Sequence, residues 1–106
     1  MENQHRKIAG YRELSQEEVD LMNRIKAKGA ELLALQAELV DLLKLNEIAL
    51  FNAMDKAKSS AAQFTAVAEV NRFQAAEPLR WAAIGKTDIQ TGIMAMVRAV
   101  AQPEGC

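Results

Sequence analysis

The chain has 106 residues, half of them apolar but only five per cent aromatic, and a formal net charge of −1. That length holds one domain or one protomer of an assembly, and an alanine-rich chain with few large side chains buries little core alone, so a homo-oligomer is expected. The charge argues against non-specific DNA or RNA binding, which draws most of its affinity from a basic face, while thirteen Lys and Arg residues leave room for a local anion site.

Residues 1–14 read as an entry segment within a single domain spanning 1–106. MENQHR is polar, and His5 reads as a surface residue because no second catalytic group is spaced to help it. The segment has no apolar h-region, and no run in the chain approaches the ~18 apolar residues of a membrane span. A soluble, cytosolic protein with no membrane partner is the expectation. The lone cysteine, Cys106, is the last residue, so neither an intrachain disulfide nor a Cys/His metal cluster is available, and no metal or cofactor is expected.

A long helix is predicted over 15–58. Ser15 followed by Glu18 is a capping box, and Leu14 and Val19 flank it as a hydrophobic staple. Apolar residues then recur at three- and four-residue steps through Leu21, Ile25, Leu32, Leu35, Leu39 and Leu42 to Ala49. This reads as a coiled-coil seam, widened by Leu33, Val40, Leu43 and Leu50. Lys28 and Asn46 interrupt it: Asn46 reads as a register-setting polar residue, while an ammonium at Lys28 needs an anion or a route to water. Gly29 beside it hints at close approach by another backbone or a ligand.

The best turn candidate is Lys56-Ala57-Lys58-Ser59-Ser60. Helix resumes over 61–77, where Phe64 and Phe73 read as core, and Pro78 opens a last helix over 78–102. That helix carries Leu79, Ala83, Lys86, Ile89, Ile93, Val97 and Val100 on one face, with Met94 and Met96 as flanking packing. The fold class expected is all-α, an antiparallel helical hairpin that assembles into a homo-oligomer.

The chain shows no Gly-rich phosphate loop, HExxH, CxxC or GxSxG, and its carboxylate pairs at 13, 17 and 18 suit a helix N-terminus, so the protein is read as no enzyme. A binding constellation remains. Tyr11 and Trp81 offer ring faces, although Trp81 reads better as core. Lys26, Lys28, Arg80, Lys86 and Arg98 offer charge for phosphates, with Arg12 and Thr87 beside them in sequence as further polar candidates.

Two runs, KIAGYRELSQEEVDLMNRIKAKG and RWAAIGKTDIQTGIMAMVRAVAQP, resemble the phage anti-CBASS protein 2 family. That resemblance implies a helical-hairpin hexamer, encoded by a phage and acting in the host cytoplasm. It would bind cyclic dinucleotides such as 3′,3′-cyclic GMP–AMP at protomer interfaces and withhold them from immune effectors without cleaving them. By the same resemblance Tyr11 stacks on a base and Lys26 holds phosphate. Some members take cyclic trinucleotides at a separate site, for which Arg80 is the matching arginine. The small hydroxyl residue expected there is replaced by Lys28, a departure that leaves trinucleotide binding open.

Other readings differ in what they predict. A purely structural coiled-coil assembly or adaptor protein has no need of Gly-Tyr-Arg ahead of the helix cap. A related anti-Thoeris sponge shares the hairpin and captures cyclic ADP-ribose isomers, so ligand choice stays open between the two classes. Hydrolysis of the messengers predicts their consumption, and the absent metal ligands and general base speak against it.

Overall fold

A computed structural model of the protein describes residues 12–104. Three helices cover most of the described residues, α1 (Gln16–Lys56), α2 (Ser60–Ala76) and α3 (Pro78–Ala101), and no strand occurs among them. The all-α expectation holds.

Each helix boundary has a local cause. At the start of α1 the Glu18 N–H donates to Ser15 Oγ at 3.1 Å, and the Ser15 N–H donates to Glu18 Oε1 at 3.0 Å, so the capping box closes in both directions. Glu17 and Glu18 in the first turn and Lys56 in the last complement the helix dipole. The chain breaks at Ala57, Lys58 and Ser59. Ser59 is extended and its Oγ accepts the Ala62 N–H at 3.0 Å, which caps α2. Helix α2 ends at Glu77, a non-glycine residue held at φ 49°, whose N–H donates to the Gln74 carbonyl at 3.2 Å. Pro78 follows as the first residue of α3, where its missing N–H costs nothing.

The chain forms two compact units, one joining stretches from its two ends and one formed by the continuous middle stretch. The first joins Met1–Leu33 to Thr87–Cys106. Here the early turns of α1 run against the late turns of α3, with Gly29 buried and Ile93 and Val97 on the facing helix. Arg12, four residues before α1, reaches the carbonyl of Val100 at 2.9 Å, as expected of two antiparallel segments. The second unit, Ala34–Lys86, packs the rest of α1 with α2 and the start of α3. Its buried residues are Val70, Phe73 and Ala82, and Gln36 Nε2 donates to the Ala82 carbonyl at 2.9 Å.

Several sequence expectations are corrected by this packing. Within the chain, the covered face of α1 runs through Met22, Ile25, Gly29, Leu33, Gln36, Val40, Leu43 and Leu50. Of the expected seam, Ile25 and the widening residues Leu33, Val40, Leu43 and Leu50 lie on this covered face, whereas Leu32, Leu35, Leu39 and Leu42 are 45–58% exposed, with Lys28 and Asn46 exposed beside them. Both stripes repeat at three- and four-residue steps, so periodicity alone does not say which one faces the chain's own partner helix. In α3 the expected face holds at Leu79, Ile89, Ile93, Val97 and Val100, while Ala82 and Gly85 are covered in place of Ala83 and Lys86, which are exposed. Phe64 and Trp81, read as core, are 78% and 60% exposed, whereas Phe73 is buried as expected.

Candidate functional site

Two lysines two residues apart on α1 are separated by about 200° around the helix axis, and this decides the layout of the first unit. Lys26 lines an open groove of about 490 Å³ shared with the late turns of α3, where Arg98, Thr91, Val97 and Pro103 complete the wall. No carboxylate lines this groove among the described residues, and Lys26 and Arg98 are its two cations. Both side chains are exposed, so they keep their water until a ligand displaces it. An apolar wall that carries two cations suits an anion that also has flat or apolar surface.

Lys28 opens on a different groove, of about 460 Å³, lined by Arg24, Gly29, Leu32, Asp88, Ile93 and Met96 among others. Its side chain is 82% exposed and pairs with Glu31 at 3.3 Å, an i,i+3 contact that contributes little in water. Arg24 and Lys28 on this rim are opposed by Asp88, so the groove is less cationic than its neighbour.

Arg12 is bound to the protein itself. Its Nη2 pairs with the Glu18 carboxylate and also donates to the Val100 carbonyl at 2.9 Å. The guanidinium beside it, followed by the Ser15 N–H, holds the Glu18 carboxyl down to about 2 from an ordinary 4.5. The capping box and the Arg12 bridge therefore share one carboxylate.

The other predicted residues among those described line neither groove. Arg80 is in the second unit, pairs with Glu77 at 3.6 Å and sits 5.3 Å from the centre of the Trp81 ring. Lys86 is exposed in the same unit, and Thr87 is exposed at the edge of the first. Tyr11 lies outside the described residues, as do His5 and Cys106. The structure thus brings Lys26 and Arg98 together and separates both from Lys28. Sequence reasoning did not find the Arg12–Val100 contact, which no local spacing signals.

A family model described as the Acb2/Tad1 hairpin domain matches residues 4–101. A protein of Pseudomonas phage JBD67 named anti-CBASS protein 2 is 62% identical over 109 residues, with the full length of both chains covered.

Proposed function

The chain belongs to the Acb2/Tad1 hairpin-domain family, and from that premise we propose that it sequesters cyclic oligonucleotide immune signals and so blocks CBASS immunity. The observation that carries the reading within the molecule is the meeting of Lys26 and Arg98 on one groove free of acids among the described residues. In the proposed complex Lys26 and Arg98 hold phosphates of a cyclic dinucleotide such as 3′,3′-cyclic GMP–AMP. Tyr11 stacks on a base, and a second protomer supplies the matching set for the two-fold symmetric ligand. A ring-closed ligand loses little conformational freedom on capture, which favours tight binding from few contacts.

The assembly proposed is a homo-oligomer, a hexamer by family resemblance. It is supported by the exposed Leu32, Leu35, Leu39 and Leu42, a stripe that water does not favour. Arg80 is the arginine proposed for a second site, the one that takes cyclic trinucleotides in some members of the family. The protein acts by binding alone, in the host cytoplasm, and ligand leaves it unchanged.

Tyr11→Ala tests this. It is expected to abolish dinucleotide binding while leaving assembly mass and helicity at wild-type values. Loss of the assembly in that variant would make Tyr11 a packing residue and remove it from the site.

A further inference from the structure

We infer that Met94 is a ligand residue of the Lys26/Arg98 groove, an apolar platform for the flat ring of a nucleobase whose phosphate is held by Arg98. The inference deepens the reading of that groove as a phosphate site and rests on it.

Met94 lines the groove together with Thr91 and Arg98, and all three belong to α3. They follow one another at i, i+3 and i+7, so they share one face of the helix. A hydroxyl, a thioether and a guanidinium therefore succeed each other along about 10 Å of helix axis. Met94 and Arg98 are i,i+4 neighbours, with Cβ atoms about 6 Å apart. A phosphate paired with Arg98 thus brings the nucleoside attached to it within reach of the thioether.

The chain's own packing makes little use of this side chain. Met94 is 70% exposed, against 52% for Met96 and 40% for Leu21 in the same unit. Cover by a flat apolar ring removes that surface from water, and sulfur against an aromatic ring adds to the gain from area alone. The side chain is unbranched and flexible and offers no strong hydrogen bond, so it fits itself to a ring without choosing between adenine and guanine.

The chain carries its own control. Met96, two positions on and about 200° around the helix, lines the other groove with Lys28 and Asp88. It has the same chemistry and is also exposed, yet a ligand seated on Lys26 and Arg98 does not meet it.

The experiment labels the five methionine methyls with ¹³C, assigns two of them through Met94→Leu and Met96→Leu, and titrates 3′,3′-cyclic GMP–AMP. The Met94 methyl is expected to move upfield, as a group over a ring face does, while the Met96 methyl stays in place. In calorimetry Met94→Gln should weaken binding roughly tenfold, Met94→Leu no more than about threefold, and Met96→Gln not at all. Glutamine matches methionine in helix propensity and position 94 is exposed, so the fold and the sedimentation coefficient should be kept. A Met94 methyl that does not move in a complex weakened by Lys26→Ala and Arg98→Ala would overturn the assignment and leave the phosphate reading standing. A Met94→Gln variant with an altered sedimentation coefficient would make Met94 a subunit contact and overturn it too. Absence of binding by the wild-type protein would overturn the phosphate reading, and the assignment with it.

Discussion

Gly29 of α1 and Ile93 of α3 are in such close contact that a Cβ at position 29 would occupy the space of the Ile93 side chain. Alanine at 29 would gain about 1 kcal/mol of helix propensity, but it would force a β-branched side chain with few rotamers to move. Overpacking of this kind costs about 1–3 kcal/mol, so Gly29→Ala is expected to be net destabilising. Chemical denaturation checks it, and Ile93→Ala placed in the same chain should recover part of the loss by vacating that space.

The Lys26/Arg98 groove yields an affinity prediction. Lys26→Ala should cost roughly 1.5–3 kcal/mol of binding, the range for a hydrogen bond to a charged group, and Arg98→Ala a comparable amount. Lys44→Ala, an exposed residue of the other unit, serves as the control in the same titration. Equal losses at 26 and 44 would remove Lys26 from the phosphate site.

How far the sequence foretold this arrangement depends on what each signal measures. The capping box, the break before Ser60 and the proline start of α3 are set by neighbouring residues, and the expected pattern agrees with the structure at each. The choice between two apolar stripes on α1 was not legible. Leu33, Val40 and Leu43 differ from Leu32, Leu39 and Leu42 by one step, and both sets satisfy the same spacing. Trp81 and Phe64 were misread because residue type predicts burial only on average, and exposed apolar surface on an isolated protomer is open to cover by another. Of the candidate site, Lys26 and Arg98 were both named from the sequence as charge for phosphates, and their place on one groove depends on a contact between helices that no local pattern encodes.

The exposed leucines give a prediction about assembly. Leu39→Glu places a charge in the middle of the stripe and leaves the covered face of α1 untouched. It should shift the protein to smaller species at micromolar concentration with helicity kept, as read by sedimentation velocity and circular dichroism. An unchanged sedimentation coefficient would place the subunit contact elsewhere.

Acid provides a further check on Glu18. Its carboxyl is held at about 2 in the folded chain, first by Arg12 and then by the Ser15 N–H, against 4.5 for an ordinary glutamate. A depressed folded value means that the stabilisation is fully present above about 4.5 and is lost as pH falls from there toward 2. The melting midpoint of the wild-type protein should therefore fall more steeply over that window than that of Glu18→Gln. Parallel curves would show that the carboxylate does not couple to folding.

The central claim is capture without chemistry. Isothermal titration with 3′,3′-cyclic GMP–AMP, followed by heating the complex and assaying the released ligand by chromatography, tests it most directly. Tight, saturable binding with the ligand recovered intact is the predicted result. No heat with this ligand, with cyclic trinucleotides or with cyclic ADP-ribose isomers, or recovery of a linearised product, would contradict the account.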